Sequence, residues 1–200
     1  MKNNYLIPLF FIGLLASFSI WFSPSFFLHS FNPYSGIKTH FELPPLQLKL
    51  LNEKNINLHS LGKKAFLFFG YARCKNACPL NLRLFSQMQK MFFFKDYLFV
   101  FISLDQDEKS FQILKNSFAK SFPKTIFLKS KDAKTKELSK KLKSSYEESP
   151  YSKEIKNHQS FIYLIHDNKV IMTYPQKKIS EKLIIQDITF LKKQKGNKKS

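Results

Sequence analysis

The sequence predicts an α/β fold, a mixed central sheet with flanking helices, preceded by an N-terminal transmembrane anchor. Three observations lead there. The continuous apolar runs Ala65–Phe69 and Tyr97–Ile102 have the composition of strands buried on both faces. Each run is followed by apolar residues at helical spacing: Leu80, Leu84, Phe85, Met88, Met91 and Phe92 after the first, then Phe111, Leu114 and Phe118 after the second. The chain also opens with a long uncharged segment. Two hundred residues, 44% of them hydrophobic, suffice for one globular domain in addition to that segment.

No Lys, Arg, Asp or Glu occurs between Asn3 and Ile37, and Leu6–Phe22 is apolar apart from Pro8, Gly13, Ser17 and Ser19. As a helix it would cover about 26 Å at ~1.5 Å per residue, the short end of what crosses a hydrocarbon core. A cleaved signal peptide is the competing reading. The small-residue pattern that cleavage needs is broken after Ala16 by Phe18 and Ile20, which favours an uncleaved anchor. Lys2 and the amino terminus would stay in the cytoplasm, placing the remaining chain outside. Pro24, Pro33, Gly36, Pro44 and Pro45 punctuate Ser23–Pro45, and the expected organisation is an anchor over residues 1–28, a linker over 29–40, a folded domain over 41–192 and a basic tail over 193–200.

Within the domain, Leu46, Leu48 and Leu50 alternate with polar residues and meet Ile56 and Leu58 across Asn52–Asn55, the pattern of a hairpin. The Ala65–Phe69 strand ends at Gly70, and a helix is expected over Pro79–Phe92. After the Tyr97–Ile102 strand come the acidic loop Asp105–Glu108, the second helix and a third strand at Thr125–Leu128. Leu138, Leu142 and Tyr146 mark a third helix. Phe161–Ile165, the turn Asp167–Asn168 and Val170–Tyr174 form a late hairpin. Ile184, Ile188 and Leu191 close the domain with a helix for which Ser180 is the expected N-cap, and the lysine-rich end after Lys192 is expected to be disordered. This order of strands and helices is thioredoxin-like.

The formal net charge is +19, yet only Arg73 and Arg83 are arginines and the lysines are scattered. Phosphate and base recognition favour arginine forks, so nucleic-acid binding is not expected. The basic balance suits a solvated surface or contact with anionic headgroups beside an anchor.

The chain's two cysteines, Cys74 and Cys78, lie between a buried strand and a helix in Phe69-Gly70-Tyr71-Ala72-Arg73-Cys74-Lys75-Asn76-Ala77-Cys78-Pro79. Two thiols can therefore converge on one point. Pro79 fits a first helical turn, which makes Cys78 the expected N-cap with its thiolate favoured by the helix N-terminus. Such a pair can close as a disulfide, structural or redox-active, or hold a soft metal. His158, in Asn157-His158-Gln159-Ser160 just before a strand, is the candidate third ligand. Two thiolates with an imidazole suit copper, as Cu(I) or Cu(II). His29, His40, His59 and His166 read as surface or turn residues, and Asp105 and Asp107 as a solvated loop and helix start.

The C-x-x-x-C-P loop after aromatic-Gly-Tyr, the strand Phe99–Ser103 leading into Asp105, and the later His-x-Ser resemble the Sco (SenC) family over roughly residues 41–192. The chain departs from the family's usual pattern at Lys75, Asn76 and Gln106. The resemblance implies a membrane-anchored, thioredoxin-like protein that binds copper through Cys74, Cys78 and His158. It implies a metallochaperone, not an enzyme of small-molecule turnover, that helps assemble the binuclear copper site of cytochrome c oxidase. Its expected partners are the oxidase copper-site subunit and an upstream copper donor. Its expected location is the bacterial cytoplasmic membrane, with the domain on the extracytoplasmic side. The alternative is a thiol-disulfide reductase cycling Cys74 and Cys78 against the cysteines of that subunit. Three residues between the cysteines, instead of the two usual in redox thioredoxins, and His158 where a cis-proline would be expected, favour copper.

Overall fold

The computed structural model describes residues 34–197 apart from 62–63, 76, 106, 130–133, 145, 149–154, 159 and 177–178; for 146–148, 155–158 and 195–197 the description is of the backbone. Leu6–Phe22 and His29 lie outside the described residues. Among those described, no helix is long and apolar enough to cross a membrane.

Among the described residues, ten strands form two sheets. The larger contains β1 (Ile37–Glu42), β2 (Gln47–Leu50), β3 (Asn55–Asn57), β4 (Lys64–Gly70), β5 (Leu98–Ser103), β6 (Ile126–Lys129), β9 (Phe161–His166) and β10 (Lys169–Pro175), in the order β1-β10-β9-β4-β5-β6-β2-β3. β4, β5 and β6 run parallel, and the remaining pairs are antiparallel. The smaller sheet pairs β7 (Tyr146–Glu148) with β8 (Ile155–His158). The described residues also form the α-helices α1 (Ala77–Met88), α2 (Glu108–Ile113), α3 (Lys134–Lys141) and α4 (Glu181–Asn197).

The core has two halves because strand side chains alternate between faces. On β4, Phe66 and Phe68 join one cluster while Ala65, Leu67 and Phe69 join the other; on β5, Phe99 and Phe101 part in the same way from Val100 and Ile102. Helices α1, α2 and α4 supply the first cluster through Phe85, Phe111 and Ile184, and α3 supplies the second through Leu138. The phenylalanines pack ring on ring: Phe68 meets Phe101 edge-on at 5.0 Å and Phe66 stacks on Phe99 at 5.6 Å. Full burial of one such ring stabilises by about 1.5–3 kcal/mol. β4 is thereby fixed at the centre of the sheet, and its C-terminal end carries the cysteine loop.

Several expected boundaries move. α1 stops at Met88 and Phe92–Phe94 form a separate 3-10 turn, so the apolar spacing persists where the helix does not. α2 continues as a π-helical turn over Leu114–Ala119. Tyr146 is not in the third helix: Lys143 adopts φ 59°, the Ser144 N–H returns to Ser139 O at 2.8 Å, and the chain turns out into β7. The first strand begins at Ile37, inside the expected linker. Asp187 accepts the Ser35 and Gly36 N–H groups at 3.0 and 2.9 Å, which anchors this segment on α4. The expected disordered end is helical as far as Asn197. Both hairpins and the three other expected strands, β4, β5 and β6, stand where expected; Ser180 Oγ accepts the Leu183 N–H at 3.5 Å, and Asp167 and Asn168 turn the late hairpin with φ 49° and 61°.

Candidate metal centre

The cysteine loop leaves β4 at Gly70, and this position tolerates no side chain. A Cβ there would stand 2.6 Å from Cys78 Sγ and 2.7 Å from the Phe101 ring. The missing side chain is the space in which the Cys78 sulfur sits. The loop then turns tightly, with the Cys74 N–H donating to Tyr71 O at 3.2 Å.

Cys78 lies inside α1 and is not its N-cap, since the helix begins at Ala77. Its N–H donates to Cys74 Sγ at 3.2 Å, so the sulfur of Cys74 satisfies one of the open donors of the first turn. The two sulfurs thus share one corner. Neither is in a disulfide; Cys78 is fully buried and Cys74 retains 6% of its surface.

The expectation of a favoured Cys78 thiolate does not hold in the metal-free protein. Burial pushes the Cys78 thiol well above its ordinary range, and the hydrogen bond and charge of Cys74 add to this, while a hydrogen bond with the Tyr71 backbone opposes it only in part. Desolvation of a charge in an apolar corner outweighs the fractional charge of a helix end. The Tyr71 hydroxyl is likewise pushed up to about 12 by burial, then by the charges of Cys74 and Cys78 and its hydrogen bond with Cys74.

Asp105 is not solvated. Its Oδ2 accepts the Ala72 N–H at 2.7 Å and the Ser103 hydroxyl at 3.3 Å, tying the loop after β5 to the cysteine loop. Burial pushes the Asp105 pKa above the ordinary carboxylate value, partly offset by the Ala72 N–H; the Asp107 charge raises it further, and Ser103 and Arg73 lower it. Asp107 takes the expected place at the helix start, accepting the Ser110 N–H at 2.8 Å.

His158 occupies the last position of β8, opposite Tyr146; its side chain lies outside the described residues. Two residues later, buried Ser160 accepts a hydrogen bond from the side-chain amide of Asn81, on α1 three residues beyond Cys78. Sequence reasoning missed Asn81. Cys78, Asn81, Leu82 and Phe85 form one helical stripe, and a lone amide in an otherwise apolar stripe was the available signal. Among the described residues, no three His, Cys, Asp or Glu side chains stand together as a metal site. The donor set on view is therefore two soft sulfurs, which fit a soft ion such as Cu(I). Of the remaining histidines, His59 Nε2 meets Leu43 O, His40 is exposed on β1, and His166 Nδ1 lies 2.9 Å from Asp167.

The SCO1/SenC family model matches residues 36–193. The chain belongs to that family. It is 27% identical over 149 residues to an SCO2-like protein of Rickettsia prowazekii, covering 71% of this chain and 73% of that one. Among solved structures, copper-bound ScoI of Bradyrhizobium japonicum superposes with a TM-score of 0.62 at 25% identity, over 74% of this chain and 99% of its own. BsSco, described as a member of the Sco family of cytochrome c oxidase assembly proteins and as containing a disulfide switch, superposes with a TM-score of 0.59 at 24% identity, over 76% and 94%. This Sco-family chain has the α/β fold of those proteins, with its cysteine loop on the central strand.

Proposed function

We propose that the protein is a copper metallochaperone that holds one ion between Cys74 and Cys78 with His158 as third ligand, and passes it to the copper-site subunit of cytochrome c oxidase. One observation carries the reading. The Asn81–Ser160 hydrogen bond ties the residue before β9, two positions after His158 in sequence, to the helix that bears Cys78, which supports His158 as the third ligand. Family membership and copper in the ScoI structure support the choice of metal.

The chemistry follows from the donors. Two thiolates satisfy Cu(I) in a near-linear arrangement, whereas Cu(II) calls for the imidazole as well. Cys78 is protonated when metal-free, so loading releases a proton and becomes more favourable as pH rises. Cys74 retains the small opening to solvent and is the sulfur at which an incoming ligand of the recipient would begin exchange. Leu6–Phe22 would tether the domain on the extracytoplasmic face of the membrane, near an oxidase subunit.

Copper stoichiometry of the reduced full chain tests the reading. Cys74→Ser and Cys78→Ser should each abolish stoichiometric binding. His158→Ala should keep Cu(I) and lose the thiolate-to-Cu(II) absorption; wild-type Cu(II) binding in that variant would overturn the three-ligand site. Membrane-extracted protein should begin at or near Met1, and a start beyond about residue 20 would refute the retained anchor.

A second reading, a thiol-disulfide reductase, draws support from two reduced cysteines sharing one corner. Copper-free protein that reduces the disulfide of the oxidase subunit at a useful rate would favour it.

A further inference from the structure

At the end of the sheet remote from the cysteines lies a cavity of about 340 Å³, within the usual size range of small-molecule sites. β4 connects the two places: Lys64 at its start lines the cavity, and Gly70 at its end cradles Cys78. Six residues of strand separate them, roughly 20 Å at ~3.3 Å per residue.

Two irregularities in neighbouring strands coincide here. Between Val170 and Met172 the register of β10 on β9 shifts, leaving Ile171 without an opposite residue. Between Lys38 and Phe41 the register of β1 on β10 shifts as well. Bulges bend a sheet and re-aim side chains, and they are common beside binding sites. Lys38 and His40 from one shifted stretch and Ile171 from the other all line the cavity.

Its lining divides by chemistry. Leu164 and Ile171 from the sheet, with Ile188 and Leu191 from α4, make an apolar floor. Lys38, Lys64 and Lys192 make a cationic rim, joined by His40 and His166. Among the described residues, no carboxylate lines it. The lysines stand over aromatic rings, Lys38 at 4.3 Å from the Tyr34 centroid, Lys64 at 5.9 Å from Tyr97 and Lys192 at 5.0 Å from Phe93. An apolar floor under three like charges costs free energy as it stands, and an occupant with one apolar body and one anionic head relieves both terms.

We propose that this cavity binds a single-chain lipid anion, with its acyl chain on Leu164, Ile171, Ile188 and Leu191 and its head among Lys38, Lys64 and Lys192. A small inorganic anion would leave the floor wet, and a neutral apolar molecule would leave the lysines unanswered. Nucleic acid is a poor match because the rim lacks arginine and is too short to follow a backbone.

The test uses the full chain in zwitterionic phosphatidylcholine nanodiscs with a fatty acid carrying a mid-chain diazirine, photolysed and mapped by peptide mass spectrometry. Cross-links should concentrate on peptides containing Leu164, Ile171 and Leu191. Excess laurate should compete; dodecanol and inorganic phosphate should not. Lys64→Glu with Lys192→Glu, both at solvent-accessible positions, should lower the cross-link yield roughly tenfold. Leu191→Trp, which fills the cavity and keeps the rim, should lower it comparably. Labelling spread evenly over the surface, equal competition by dodecanol or phosphate, or an unchanged yield in the double variant would each overturn the proposal. Copper stoichiometry at the cysteines should be unaffected by these variants, so the two sites can fail independently.

Discussion

The side-chain amide of Asn81 donates to the hydroxyl of Ser160, and both groups are buried. This bond joins the helix that carries Cys78 to the start of β9, two residues after His158. Asn81→Ala should cost about 1–3 kcal/mol, because it leaves the Ser160 hydroxyl without its partner in an apolar setting. Chemical unfolding measures that loss. If the bond positions the third ligand, the variant should lose Cu(II) absorption while its Cu(I) stoichiometry stays near wild type. Equal loss of both ions, or of neither, would count against that role.

Gly70→Ala tests how tightly the Cys78 sulfur is seated. The new Cβ would meet that sulfur at 2.6 Å and Phe101 at 2.7 and 2.9 Å. Overpacking of this kind costs about 1–3 kcal/mol. Copper stoichiometry should fall, since the sulfur must move. In a double-mutant cycle with Cys78→Ala the two effects should be less than additive, because removing the sulfur removes one of the clashes. Strict additivity would mean that only Phe101 resists the methyl group.

Asp105→Ala should loosen the cysteine loop from outside it. The carboxylate is the acceptor for the Ala72 N–H, and hydrogen bonds to charged groups contribute about 1.5–3 kcal/mol. The expected result is a lower Tm and faster loss of Cu(I) to a competing chelator, with Asp105→Asn recovering part of both. A variant that releases copper at the wild-type rate would confine Asp105 to stability.

The pH behaviour of the reduced, metal-free protein follows from Cys78. Its folded thiol ionises well above the ordinary value of 9.0, so the folded chain holds a proton that the unfolded chain has lost. That contribution is complete below the ordinary value and declines as pH rises above it, by up to about 1.4 kcal/mol per pH unit. Denaturation curves of wild type should therefore fall more steeply above pH 9 than those of Cys78→Ala. Parallel curves would show that the thiol ionises normally.

Much of this architecture was legible in the chain itself. Strands buried on both faces, such as Phe66–Phe69 and Phe99–Ile102, announce themselves as unbroken apolar runs, and Asp167–Asn168 suits a tight hairpin turn. The converging cysteines were legible too, because four-residue spacing across a strand-to-helix junction leaves little freedom. Local signals failed where long-range contacts decide. Apolar spacing ran on through Phe92 and Tyr146, yet α1 ended at Met88 and α3 at Lys141, just before the left-handed Lys143. Asp187 gave no local sign of holding Ser35 and Gly36, which lie some 150 positions away.

What the sequence determined alone was the pair of converging cysteines, the strand and helix that carry them and the family to which the chain belongs, since each is written in neighbouring residues. The tertiary structure decided the electrostatics of that pair. Whether the Cys78 thiol is charged depends on its burial and on the neighbouring Cys74, and desolvation there exceeds the influence of the helix end that sequence spacing suggests. It also decided that Asp105 faces inward, that Asn81 reaches Ser160, and that two strand bulges open a cavity at the far end of β4. Each of these joins residues distant in the chain, so only the packed sheet brings them together.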